Sequence, residues 1–238
     1  MTSLSGHVAL ITGASRGIGA AVAVELARRG ARCVLVARTQ GGLEETDDAI
    51  RALGAEATLL PLDLVKQADK IDVLGPSIME RFGRLDILVH AAGALGALTP
   101  VSHIMPRDWS ETVGVNLSAT WRLIRTCEPM LRAATAGRAV FLTTGRVAEP
   151  KAYWGAYGAT KAGMEHLVLT WAQEVARTAI RANLLDPGVV ATQMRAIAMP
   201  GEDPSGLRRP ADVAPAIADL CGPQEGRHGA IVRLGAVG

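Results

Sequence analysis

The segment Thr12-Gly13-Ala14-Ser15-Arg16-Gly17-Ile18-Gly19 constrains the fold of this chain more than any other stretch. It follows an apolar run at 8–11 and leads into a segment where Ile18, Val22 and Leu26 recur every four residues beside Glu25, Arg28 and Arg29. That periodicity marks an amphipathic helix, and the apolar run before it a buried strand. Glycines between the two permit a tight turn and let a ligand come close to the backbone. The helix N-terminus adds unpaired N–H groups and the positive end of its dipole, which together suit a phosphate. Gly13, Gly17 and Gly19, with Ser15, Arg16 and Ile18 among them, are candidate contacts to a dinucleotide pyrophosphate. A glycine trio is weak evidence alone, and the strand before it and helix after it supply the context it needs.

The strand–helix alternation continues to the end of the chain. Strand-like runs fall at 33–37, 57–60, 86–91, 139–142, 180–185 and 230–234. Helical patterns lie near 43–53, 68–82, 106–131 and 157–178, with a short helix from Pro210. The strands are apolar on both faces, as in a parallel sheet covered by helices on both sides. The repeated order predicts a doubly wound, Rossmann-type α/β fold. A length of 238 residues fits one domain, 1–238, with a short substrate loop near 193–209.

Charge and composition exclude several classes. A formal net charge of +2 without a dense Lys/Arg run argues against a nucleic-acid partner. No apolar stretch reaches the ~20 residues of a membrane helix, and the polar residues 1–6 lack a signal-peptide pattern, so a soluble cytoplasmic protein is expected. Cys33, Cys127 and Cys221 are scattered, odd in number and without metal-ligand spacing, and are read as free buried thiols with no metal site. His90, at the end of an apolar strand, is read as structural. The segments 113–124 and 167–175, with Trp121 and Trp171, are apolar on more than one face. One face would pack on the sheet and another on a second copy of the chain, which predicts a homodimer or homotetramer.

The end of the second strand selects between dinucleotides. An acid there would grip a ribose 2′-hydroxyl, but the chain reads Val36-Ala37-Arg38-Thr39. Arg38, joined by Arg16, suits a 2′-phosphate through its planar fork, so NADP(H) is expected over NAD(H).

Tyr157 and Lys161 stand four residues apart at a predicted helix start, on one face. A free tyrosine titrates near pH ~10 and is a poor acid or base at neutrality. A nearby ammonium, with the cationic nicotinamide, would stabilise phenolate and lower that value. Thr144, at the end of the preceding strand, offers a hydroxyl to hold a substrate oxygen. The constellation points to hydride transfer to or from a carbonyl or alcohol carbon, with Tyr157 handling the proton.

Taken together, these motifs resemble the short-chain dehydrogenase/reductase family over essentially the whole chain. The resemblance implies roles for further residues. Asp63, with Leu64, matches the acid beside adenine, and Ala92-Gly93 in HAAG matches the segment passing the adenosine. Asn116 matches the residue supporting a proton-relay water beside the lysine. Thr144 falls where the family usually has serine. Pro187, Gly188, Val189 and Thr192 match the segment holding the carboxamide of nicotinamide, and Lys161 would also bind the ribose hydroxyls. Trp154–Tyr157 and Glu202–Pro204 resemble a bacterial subgroup known mainly as uncharacterised oxidoreductases. Leu95, Arg146, Tyr153, Trp154 and Met194 would build the substrate pocket. Arg146 suggests an anionic substrate or, more simply, a solvated loop residue. A dinucleotide-binding regulatory or scaffold protein is the competing reading. The complete set Asn116, Thr144, Tyr157 and Lys161 favours an enzyme.

Overall fold

The computed structural model describes residues 2–235. Seven strands, β1 (Val8–Thr12), β2 (Arg32–Ala37), β3 (Ala57–Pro61), β4 (Ile87–His90), β5 (Arg138–Leu142), β6 (Arg181–Asp186) and β7 (Ile231–Arg233), form one sheet. Every pairing is parallel and the order is β3-β2-β1-β4-β5-β6-β7. The helices are α1 (Gly17–Arg28), α2 (Gln40–Arg51), α3 (Ala68–Ile71), α4 (Leu74–Phe82), α5 (Pro106–Val113), α6 (Ala119–Ala133), α7 (Gly155–Val175), α8 (Gln193–Ala198) and α9 (Pro210–Leu220).

Alternation along β1 divides the core. Val8 and Leu10 pack into one apolar cluster with residues of α4, α6 and α7, whereas Ala9 and Ile11 join another with α1, α2 and α9. Side chains of successive strand residues point to opposite faces, so a strand covered on both sides is apolar throughout. The chain builds outward from β1 to β3 and returns on the other side of β1 as β4. That reversal opens a crevice at the carboxyl ends of β1 and β4, where ligands bind in sheets of this kind.

Three local features differ from the sequence pattern. The helix expected at 68–82 is two helices, α3 and α4. Thr126 on α6 donates to the Asp72 carbonyl at 2.9 Å and accepts from Gly75 N at 3.0 Å, so a side chain occupies the break. The helix expected at 106–131 contains a π turn at Gly114–Ser118, which rotates Asn116 into the interior. The expected loop at 193–209 carries α8, capped by the Thr192 hydroxyl accepting from Arg195 N at 3.2 Å. Of the two tryptophans in the segments apolar on more than one face, Trp171 is buried within the chain. Its ring meets Phe141 edge-on at 6.2 Å, and its indole N–H donates to Glu128 at 2.8 Å. Trp121 is 47% exposed, with the Arg122 and Arg125 guanidiniums over its ring.

Candidate active site

A cleft of about 540 Å³ lies over the carboxyl ends of the central strands. The glycine loop forms one wall, and Tyr157 and Lys161 reach the cleft from α7. The close packing of the glycine loop is visible in what a methyl group would strike. A Cβ on Gly13, whose φ is +69°, would lie 2.7 Å from Ala92 N, and one on Gly19 would lie 2.2 Å from the Gly13 carbonyl oxygen. The loop is folded against the start of α1 and the strand beside it, leaving the helix N-terminus clear. Ser15, Arg16, Gly17 and Ile18 line the same wall.

Arg38 also borders the cleft, at the end of β2. Its Nη1 donates to Glu111 of α5 at 3.2 Å. No sequence spacing linked these residues, because α5 reaches β2 only through the fold. Leu64, Ala92, Gly93, Pro187 and Thr192 line the cleft. Asp63 turns toward its own backbone, where its carboxylate accepts from Val65 N at 2.9 Å and Lys66 N at 3.0 Å. Burial acts to raise its pKa, but these bonds and the Arg38 charge outweigh burial and hold it below the usual range. Gly188 has φ +69°, and Val189 is 45% exposed.

The four expected catalytic residues come from three elements. Asn116 is buried in the π turn, where its amide accepts from Ala94 N at 2.8 Å and donates to the Ala94 carbonyl and the Thr160 hydroxyl, each at 2.9 Å. The residue is locked from both sides. Thr144 lies just beyond β5, and its hydroxyl accepts from Arg146 N at 3.3 Å. Tyr157 and Lys161 stack one turn apart on α7, both buried.

Protein groups alone do not lower the Tyr157 value, a lowering expected from the nearby ammonium together with the cationic nicotinamide. Burial pushes Tyr157 up to about 12; the Thr144 hydroxyl opposes that rise and the Asp186 charge adds to it. Lys161 is pulled down to about 8 by burial, against the opposing charge of Glu165. Its ammonium donates to the Leu142 carbonyl at 2.7 Å rather than to the phenol. With protein groups alone, desolvation of both side chains dominates.

One further buried polar group, Glu165, went unrecognised in the sequence. The Thr143 hydroxyl donates to Glu165 at 2.5 Å. Glu165 continues the four-residue spacing of Tyr157 and Lys161, and that spacing could have revealed it. His90 pairs with Thr12 across β1 and β4, with its Nδ1 2.7 Å from the Thr12 hydroxyl, and its Nε2 is buried without a hydrogen-bond partner among the described residues. Of the expected pocket residues, Leu95 and Met194 line the cleft, joined by Ile197 of α8. Arg146, Tyr153 and Trp154 are not among its lining residues. Arg146 sits 3.7 Å from Glu149 and over the Trp154 ring, as a loop residue with its own partner.

A doubly wound sheet with a glycine-lined crevice at its topological switch point defines a dinucleotide-binding class of protein. The model of the short chain dehydrogenase family matches residues 7–203, and the chain belongs to that family of oxidoreductases. An uncharacterised Escherichia coli K12 oxidoreductase, YciK, is 35% identical over 221 residues, spanning 92% of this chain and 87% of that protein. A Pseudomonas syringae chain provisionally assigned as a short chain dehydrogenase superposes with TM-score 0.92 at 37% identity, covering 97% of this chain and 95% of its own. A Shigella flexneri chain with the same provisional assignment, crystallised with NADP, has TM-score 0.92 and 33% identity, with 97% of each chain covered. Among the described residues, no helix is long and apolar enough to cross a membrane.

Proposed function

We propose that this chain is an NADP(H)-dependent oxidoreductase acting on a carbonyl or alcohol substrate. The observation that carries the reading is the meeting of two features in one cleft: the glycine cradle of α1, and the buried Tyr157–Lys161 pair. Arg38 and Arg16 at the adenosine end, with no acid at the end of β2, support the phosphorylated dinucleotide, as does the NADP-bound relative.

The residues divide the work by position. Gly13, Gly17 and Gly19 keep side chains away from the pyrophosphate, and the first turn of α1 offers N–H donors. Lys161 would hold the ribose hydroxyls, and the segment Pro187–Thr192 the carboxamide. Bound nicotinamide supplies or accepts the hydride at the substrate carbon. In reduction, the Tyr157 hydroxyl gives its proton to the substrate oxygen; in oxidation, the phenolate takes it back. The Thr144 hydroxyl holds that oxygen and the phenol together, and Asn116 fixes the turn beside Lys161. Leu95, Met194 and Ile197 keep water from the reacting carbon. The exposed Trp121 on α6 fits a homodimer or homotetramer, which light scattering would measure.

The test is turnover across a panel of carbonyl compounds with NADPH, in the wild type and in Tyr157→Phe. The expected result is turnover that falls by at least about a hundredfold in the variant, the contribution of general acid–base catalysis, with NADPH binding retained. Turnover unchanged by the substitution would remove Tyr157 from the reaction. Tight NADPH binding without turnover of any carbonyl would favour a regulatory protein.

A further inference from the structure

Tyr157 and Lys161 are the start of a longer row on α7. Glu165 lies one turn beyond Lys161 on the same face. All three are buried. A buried carboxylate is costly unless hydrogen-bonded and matched by a charge. The bond comes from the Thr143 hydroxyl, a neutral donor, at 2.5 Å. The matching cation along the row is Lys161, whose ammonium is itself buried and bonded to a neutral carbonyl, that of Leu142, at 2.7 Å. Each group lacks in its own hydrogen bond the charge that the other carries.

We propose that Glu165 is a positioning residue of this site, supplying the buried counter-charge for the Lys161 ammonium while tying the end of β5, and so Thr144, to α7 through the Thr143 hydroxyl. The inference rests on the catalytic reading above but can be tested apart from it. The groups around Lys161 leave this role to Glu165. On α7 the neighbours are Tyr157 and the Met164 sulfur, 3.8 Å from Nζ. From β4 comes His90, which burial and the Lys161 charge push down to about 3, so it is neutral. Thr143 and Thr144 close the end of β5, and Asp186, at the end of β6, acts on Tyr157. The carboxylate that favours the charged form of Lys161 is Glu165, which opposes the burial that pulls the amine down to about 8.

Loss of that charge has a defined sign. A buried amine without its counter-charge releases its proton at lower pH, and an uncharged Lys161 holds ribose hydroxyls and phenolate less well. Glu165→Gln keeps an oxygen for the Thr143 hydroxyl and removes only the charge.

The experiment is carbon-13 NMR of the coenzyme-free protein labelled at lysine Cε. The chain has four lysines, of which Lys66, Lys70 and Lys151 are exposed, and Lys161→Arg assigns the fourth signal. In the wild type the Lys161 signal should titrate near 8. In Glu165→Gln its midpoint should move lower, and the NADP+ affinity of that variant should fall progressively between neutral and mildly alkaline pH. Glu165→Asp, which retains the charge, should keep the midpoint at the wild-type value and remains informative if the glutamine variant does not fold. A Lys161 midpoint unchanged in Glu165→Gln, or lowered equally in Glu165→Asp, overturns the proposal. If the midpoint shifts as expected while the wild type turns over no carbonyl, the pairing stands and the catalytic reading fails.

Discussion

Arg38 and Glu111 make coenzyme choice measurable as a competition. Their ion pair borders the cleft at 3.2 Å, with side chains 55% and 41% exposed, at the end proposed for adenosine. An exposed pair contributes only about 0–1 kcal/mol, so its loss should leave the fold intact. A charge-assisted hydrogen bond from Arg38 to a 2′-phosphate is worth about 1.5–3 kcal/mol. Arg38→Ala should therefore weaken NADPH binding by about 10- to 150-fold and change NADH binding by less than about twofold. Glu111→Gln should act in the opposite direction. The carboxylate holds the arginine in the free protein and would repel an arriving phosphate, so its removal should tighten NADPH by up to about fivefold. Titration of coenzyme fluorescence with both dinucleotides measures each effect, and the Glu111 effect should shrink as salt is raised. Equal losses for NADH and NADPH in Arg38→Ala would mean that the arginine shapes the pocket without reading the phosphate. Weaker NADPH binding in Glu111→Gln would mean that the glutamate supports Arg38 instead of competing for it.

Three other outcomes follow from the geometry of the cleft. The chain has two tyrosines, and burial holds Tyr157 up at about 12, so addition of NADP+ should bring phenolate absorbance in at lower pH, a difference lost in Tyr157→Phe; identical titrations with and without NADP+ would contradict it. Burial also pushes His90 down to about 3. The unfolded chain takes up this proton below about pH 6.5 while the native state refuses it, so stability falls with acidification by about 1.4 kcal/mol per pH unit, or about 2 kcal/mol by pH 5. His90→Asn should flatten that slope in urea unfolding at pH 7 and 5, and parallel slopes would rule His90 out as its source. Gly19→Ala places a methyl group 2.2 Å from the Gly13 carbonyl, so it should abolish NADPH binding and destabilise by about 1–3 kcal/mol. Gly41→Ala, with nothing within 4 Å, should stabilise α2 by up to about 1 kcal/mol, and similar thermal shifts for the two variants would refute the steric argument.

What could be read in the sequence and what could not divide by the range of the forces involved. The strands were legible because a doubly covered sheet demands apolar residues on both faces, as in β1. The glycine loop and the Tyr157–Lys161 pair were legible because each is local, confined to one turn or one helical step. The break between α3 and α4 was not, because its cause is Thr126, a residue more than fifty positions away. The π turn at Asn116 likewise has no local signature, and its amide is held by Ala94 and Thr160 from separate segments. Trp121 and Trp171 show the same boundary from the other side. Each lies in an apolar helix, yet one reaches the surface and the other fills the core against Phe141. Periodicity identifies an apolar face without identifying what covers it. Glu165 falls between these cases, since its place in the row was visible but its charge had no evident purpose until the fold buried it beside Lys161 and Thr143. Buried charge is the feature a linear pattern conceals most readily, because the cost that makes it significant arises only when the surrounding water is gone.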